Sequence, residues 1–340
     1  MRILIATGIY PPEIGGPAQY AVGLNKGFQE NGHQTEIVHY GKLKLFPTGV
    51  RHFLFGISMV RKFFKADAVI ALDTFSVGFP VAILGMFRNI PVIVRIGGDF
   101  LWEQYIERTH DLVPLPEFYR HERKLSLKEK IIFSITRFVL RHTTVVFSTG
   151  WLRDIWYEAY RFNNKNAYVI ENAIEEKSLS NEPKEKNFLL YSRDIVLKNK
   201  EAFRRAFKKA QSKYPHIVLE EGQVSKSELL EKMKDAYAVV LPSISEVSPN
   251  YILDALRFGK PFILTKYSGY TEWLKEYGLI VNPLDEEDMT EKIESLAAEK
   301  IYEVQRKKAE AFSSVRTYKE ISDDFVSLIK DNRPKEGSRS

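Results

Sequence analysis

The chain has 340 residues, 44% of them hydrophobic and 13% aromatic, too long for one typical domain and apolar enough for two packed cores, so wholesale disorder is excluded. Cysteine is absent, which excludes a disulfide framework, a thiolate zinc site and a cysteine nucleophile, and fits a reducing cytoplasm. The opening apolar run at 2–6, ended by Tyr10-Pro11-Pro12, is too short for a signal peptide, and no apolar stretch approaches the ~18 residues of a spanning helix; the expectation is a soluble, cytoplasmic protein.

In chain order, apolar runs at 3–6, 35–39, 68–71, 91–96, 144–147 and 167–170 read as strands. Helical patterns at 18–31, 51–64, 77–88, 128–141 and 150–160 lie between them. Short strands separated by helices imply crossover units and a parallel sheet covered on both faces. The polar stretch 176–187 is the best linker candidate. The alternation then restarts, with strands at 188–192, 216–220, 238–241, 262–265 and 279–281 and helices at 200–214, 226–234, 249–258 and 271–277. An amphipathic helix follows at 317–330, and a tail without apolar residues, 331–340, is expected to be disordered. The fold class is therefore α/β, with two doubly wound parallel-sheet domains whose ligand crevices open at the carboxyl ends of the strands.

Charge is unevenly placed. Residues 1–175 hold 21 basic and 16 acidic side chains, whereas the remainder holds 29 and 28. Lys42, Lys44, Arg51, Arg61, Lys62 and Lys65 run without an acid, and seven basic residues at 120–141 face only Glu122 and Glu129. Both stretches interleave cations with apolar residues. A helix with a solvated basic face is the first reading, contact with an anionic membrane surface the second, and nucleic acid a distant third, since no nucleic-acid module appears.

The densest signal lies at 245–262. Ser248 is a natural N-cap, Pro249 suits the first helical position, and Gly259 stands where the helix should stop. The amides of Asn250 and Tyr251 then point out of a helix start that favours an anion. Glu246 precedes the helix, and Asp254 is one turn past Asn250 on the same face. Two acids around an anion-binding helix start suit a ligand with both phosphate and hydroxyls, such as a nucleotide sugar. The bland alternative is a capped surface helix with two solvated carboxylates. Near the N-terminus, Gly15-Gly16 at a strand-to-helix turn lets amides approach a phosphate, although a plain tight turn is the commoner use.

Residues 245–264 resemble the donor-binding segment of retaining glycosyltransferases of the GT-B fold, the large group that includes sucrose-phosphate synthases and many bacterial cell-surface sugar transferases. Glu246 and Asp254 keep that family's eight-residue spacing between two acids, the second shortened to Asp, and Gly259-Lys260-Pro261 keeps its turn. Arg193 and Lys198 keep the spacing of the Arg and Lys that grip the donor diphosphate, with Ser192 and Asn199 where the family usually has glycine. The loop at 222–225, with Val224, matches the place where the nucleobase packs, and 12–16 matches the loop facing the distal phosphate and the sugar.

The resemblance implies a GT-B architecture: residues 1–175 on the acceptor side, 176–187 a linker, 188–315 binding the nucleotide sugar, and 316–330 a helix crossing back to the first domain. It implies sugar transfer to an acceptor hydroxyl with retention, in cell-surface glycan or glycolipid synthesis, with a nucleotide sugar donor and a lipid-linked acceptor among the candidate partners. No metal or other cofactor is expected. Glu246 would hold hydroxyls of the transferred sugar and Asp254 the ribose. The histidine that usually faces the sugar is Gly97 here; Asp99, two residues on, either takes a catalytic part in the cleft or caps the next helix. A non-catalytic protein of the same fold that binds a nucleotide sugar or carbohydrate is the rival reading.

Overall fold

A computed structural model describes residues 1–13 and 15–332. They divide into two compact units: unit 1 comprises Met1–Asp99, Leu125–Ala173 and the chain from Arg316 onward, and unit 2 comprises Phe100–Lys124 and Ile174–Val315. The tail expected to be disordered lies outside the described residues from position 333.

Unit 1 is built on β1 (Arg2–Thr7), β2 (Gln34–His39), β3 (Ala68–Ala71), β4 (Val92–Ile96), β5 (Thr144–Phe147) and β6 (Ala167–Val169), in the order β2-β1-β3-β4-β5-β6. All neighbours pair in parallel. Every residue of β3 and β4 is buried, as expected of a parallel strand covered on both faces. The helices are α1 (Gly16–Glu30), α2 (Thr48–Phe63) and α3 (Phe79–Gly85), then α4 (Phe100–Thr109) and α5 (Leu115–Arg120), which cluster with unit 2, and α6 (Leu127–His142) and α7 (Gly150–Tyr160). The helix expected at 77–88 is in fact a π-helical turn, Thr74–Gly78, running into α3. Its start is fixed by Asp73, whose carboxylate accepts from the amides of Ser76 (2.6 Å) and Val77 (3.0 Å).

Unit 2 repeats the pattern with β7 (Lys186–Tyr191), α8 (Lys200–Lys213), β8 (Ile217–Gly222), α9 (Lys226–Asp235), β9 (Ala238–Leu241), α10 (Asn250–Arg257), β10 (Phe262–Thr265), α11 (Thr271–Leu274) and β11 (Leu279–Val281). The parallel sheet runs β11-β10-β9-β7-β8. Two further helices, α12 (Glu286–Ala297) and α13 (Glu299–Ala311), follow. Met289, Ile293 and Leu296 of α12 share a core with Phe203 and Phe207 of α8. The stretch read as a linker is tied into this unit, with the amide of Ser178 donating to Arg257 O (3.0 Å) and that of Asn181 to Lys234 O (2.9 Å).

The chain then returns to unit 1 as α14 (Tyr318–Asp331), whose Thr317 cap and Glu320 form a reciprocal capping box. Ile321, Phe325 and Ile329 enter the core beside Ile3, Leu24 and Phe28. Contact with α1 is close because α1 carries Gly27 there: a Cβ at that position would overlap the Tyr318 carbonyl. The two parallel-sheet domains and the returning C-terminal helix are those expected.

Candidate active site

In unit 2 the strand order reverses between β7 and β9, since β8 lies to one side and β10 to the other. Loops leaving the carboxyl ends of two such strands diverge and leave a crevice suited to a ligand. The β7 loop carries Arg193 and Lys198, and the β9 loop carries Ser243 and Glu246. Lys198 ends a 3-10 turn closed by Asn199 in the left-handed conformation (φ 54°, ψ 30°), which asparagine tolerates better than most residues. The buried Asn199 amide donates to Pro283 O (2.7 Å) and Pro242 O (3.3 Å). Asn199 thus adopts a glycine-like backbone and also fastens the loop.

Lys198 Nζ forms an ion pair with Glu246 Oε1, each side chain only 14% exposed. Ser243 Oγ donates to the same oxygen at 2.7 Å. The Glu246 backbone is fixed separately: its amide donates to Tyr267 O, and its carbonyl accepts from Gly269 N, both at 2.9 Å. Ser245 Oγ accepts from the Leu115 amide (3.0 Å), and Glu107 Oε1 from the Leu197 amide (3.3 Å), so α4 and the start of α5 brace these loops. Arg193 is the open member, with its side chain 56% exposed and Glu103 of α4 at 3.9 Å.

The helix after Glu246 starts one residue later than expected. Pro249 (φ −81°, ψ 66°) stands outside helical geometry as the cap residue, and no side chain caps the helix. Ser248 is therefore not the N-cap; its Oγ is buried without a hydrogen-bond partner. The Asn250 amide is not open either, because it donates to Ser248 O at 2.9 Å. Tyr251 serves the fold: its hydroxyl donates to Leu189 O (3.0 Å) and accepts from Tyr191 N (3.1 Å), pinning α10 to β7. Burial pushes that hydroxyl well above the ordinary phenol range. Asp254 is buried in α10 and pairs with Lys226 Nζ, at the start of α9. Burial raises its carboxyl above the usual range, against the pull of the Lys226 ammonium. Val224 is half-buried in the loop between β8 and α9. At the far end of α10, Gly259 takes a left-handed conformation (φ 63°), where a β-carbon would be strained.

In unit 1, Gly15 and Gly16 open α1 without any side-chain cap, and space beside Gly16 is clear to 4 Å. Ile14 of the same loop lies outside the described residues. Asp99 is 1% exposed, and its Oδ2 accepts from the Trp156 indole N–H at 2.6 Å. Gly97 is crossed by the side chain of Arg95, which lies over the Tyr20 ring (3.8 Å to the centroid) and donates to Asn172 Oδ1.

Sequence reasoning brought out neither Lys226 nor Ser243, nor the loop 267–269 that holds Glu246. The signal for Lys226 was Ser225-x-x-Glu228, a helix start that sets Lys226 beside the loop 222–225. Among the described residues there is no group of three or more His, Asp or Glu side chains able to hold a metal ion.

Residues 159–299, which contain this whole constellation of unit 2 loops, match the family model described as glycosyl transferases group 1. No curated protein sequence matches the chain. Among solved structures, a sucrose-phosphate synthase from Thermosynechococcus elongatus superposes with a TM-score of 0.68 at 14% identity, covering 97% of this chain and 98% of its own. HepE from Anabaena, solved with UDP and glucose, gives 0.69 at 13%, with 97% and 100% covered. WaaG, a glycosyltransferase involved in lipopolysaccharide biosynthesis, gives 0.68 at 11%, with 96% and 99% covered. The chain has the GT-B fold, and its match to the group 1 model is confined to residues 159–299.

Proposed function

We propose that this protein is a retaining, metal-independent glycosyltransferase that moves a sugar from a nucleotide diphosphate donor to an acceptor hydroxyl. The observation that carries the reading is the Lys198–Glu246 pair at the β7/β9 crevice, with Arg193 open beside it, inside the segment matching group 1 glycosyl transferases. In this reading the bond between the anomeric carbon and the diphosphate oxygen breaks, and the acceptor oxygen bonds to that carbon on the same face. The departing phosphate takes the acceptor's proton, leaving glycoside and nucleoside diphosphate. Negative charge grows on the leaving oxygen, so preorganised cations there lower the barrier. Arg193 supplies a planar fork and Lys198 a point charge. Glu246, held by its own backbone pairing, receives sugar hydroxyls; Asp254 receives the ribose once Lys226 leaves one of its carboxylate lone pairs free. Val224 borders the nucleobase, and the uncapped Gly15-Gly16 turn takes part in donor binding.

HepE has been solved with UDP-glucose at 12% identity, which makes UDP-sugars the first donors to try. The proposed acceptor belongs to a cell-surface glycan or glycolipid, met at the cytoplasmic face of the membrane. A thermal-shift panel of UDP-, GDP- and ADP-sugars reports donor binding through mass action on the folded state. Slow hydrolysis of the stabilising donor, with the α or β configuration of the released sugar followed by NMR, tests retention. Stabilisation without any turnover would favour the non-catalytic binding protein. No stabilisation by any donor would overturn the reading.

A further inference from the structure

The sequence leaves α2 as a helix with an apolar core face and a basic solvated face. The structure shows a different division. Phe55, Met59 and Phe63 are fully buried, and Phe55 stacks on Tyr40 with ring centroids 4.4 Å apart. The opposite side is also apolar. Val50, Phe53, Ile57, Val60 and Phe64 follow at intervals of three and four residues, a single stripe along the helix, and they are 46, 69, 56, 38 and 47% exposed. Phe87, 75% exposed, adds to the stripe near the helix end, where its neighbour Arg88 donates to Phe63 O at 2.8 Å.

An apolar row of this length in water marks a docking surface. Charge selects the occupant. Between Glu36 and Asp67 the sequence contains six cations and no acid. Arg61 and Lys65, at the carboxyl end of the stripe, are exposed, whereas Lys62 is paired with Glu36 (2.9 Å). A second copy of the chain would set this acid-free belt against itself, like charge on like. An anionic bilayer accepts both components: aromatic and aliphatic side chains enter the headgroup–acyl boundary while lysine and arginine stay at the phosphates. Of the second basic stretch, Arg120 and Arg123 belong with unit 2 and are engaged by Glu117 (2.7 Å) and Asp111 (3.4 Å), whereas its cations from Lys128 onward lie on α6 of unit 1.

We propose that the exposed apolar stripe of α2, with Arg61 and Lys65 at its carboxyl end, seats unit 1 on an anionic lipid surface. The stripe follows β2 through the turn Gly41–Leu45 and so starts from the carboxyl edge of the sheet, the edge on which doubly wound domains bind ligands. This extends the reading of a lipid-linked acceptor, and its test measures membrane binding rather than sugar transfer, so the two fail separately.

The full chain is sedimented with phosphatidylcholine vesicles, with and without phosphatidylglycerol, at low and high salt. Binding is expected only to the phosphatidylglycerol vesicles, and to weaken about tenfold or more as salt rises. The double variant Phe53→Ser/Ile57→Ser, altered only at exposed positions and checked for an unchanged Tm, should lose about tenfold in binding with every cation kept. Arg61→Glu/Lys65→Glu should lose binding with the stripe kept. Equal or negligible binding to both vesicle types, or unchanged binding of the serine variant, overturns the proposal. So does a concentration-dependent dimer that the serine variant abolishes, which would assign the stripe to a second copy.

Discussion

Arg95 of β4 and Gly97, just past the end of that strand, form a matched pair. They are two residues apart, and the Arg95 guanidinium occupies the space into which any Cβ at position 97 would project. The arginine is 5% exposed, stacked on Tyr20 and bonded to Asn172, so it has little freedom to move aside. A histidine, which usually stands at this place in the resembled family, would have to displace the Arg95 guanidinium from these contacts.

Gly97→His should destabilise unit 1 by about 1–3 kcal/mol through overpacking. Arg95→Ala alone should cost a similar amount, since it removes a cation–π contact worth about 0.5–2 kcal/mol and leaves the Asn172 oxygen short of a donor. The double variant Arg95→Ala/Gly97→His should be less destabilised than the sum of the two, by about 1 kcal/mol. Denaturant unfolding of the four proteins measures the coupling; strictly additive losses would show that the two positions do not compete for space.

Replacing either crevice cation should lower turnover, but only one should lower stability. With an identified donor, Arg193→Ala and Lys198→Ala are each expected to reduce turnover about 100-fold, the usual loss of a preorganised charge-stabilising group. Lys198→Ala also strands the largely buried Glu246, a loss of about 3 kcal/mol, whereas the open Arg193 should leave the melting temperature nearly unchanged. Near-normal turnover in both variants would remove them from the mechanism.

Transfer should survive a chelator, because the cations in this reading are side chains. Activity that disappears in EDTA and returns with magnesium or manganese would replace that part of the mechanism.

The strands were legible because burial on both faces leaves short, unbroken apolar runs, as in Ala68–Ala71. The crevice residues Arg193, Lys198 and Glu246 stood out through the resemblance, whose motif spacing they keep. The long-range partners were not legible: Lys226 meets Asp254 from 28 residues away, and Glu246 pairs with a loop two elements later, relations that no local pattern encodes. α12 escaped notice although Met289, Ile293 and Leu296 keep helical spacing, because its first turn is acidic, Glu286, Glu287 and Asp288, under an Asp285 cap, and its apolar face begins only at the fourth residue. Ser248 misled because Pro249 adopts a cap geometry rather than the first helical position.

The Gly-Lys-Pro turn carries a pH dependence of its own. Lys260 is 3% exposed, and its Nζ donates to Asn181 O at 2.8 Å. Burial pushes its ammonium down to about 8 from the ordinary 10.5, against the smaller opposing pull of Asp235 and Glu182. Between those two values the folded protein binds fewer protons at this site than the unfolded chain, so stability rises with pH across the window. The destabilising contribution is present in full below about 8 and is gone by about 10.5. Lys260→Met removes the buried charge but leaves the Asn181 carbonyl without its donor, a loss of about 1–3 kcal/mol that offsets the gain. At pH 7 the variant should therefore lie within about 1 kcal/mol of the parent. As pH rises toward 10 the parent should gain on the variant, because only the parent sheds a buried charge. Melting temperatures of both proteins measured across this range give the difference directly; one that stays flat or moves in the variant's favour would mean that Lys260 is not held as a strained ammonium.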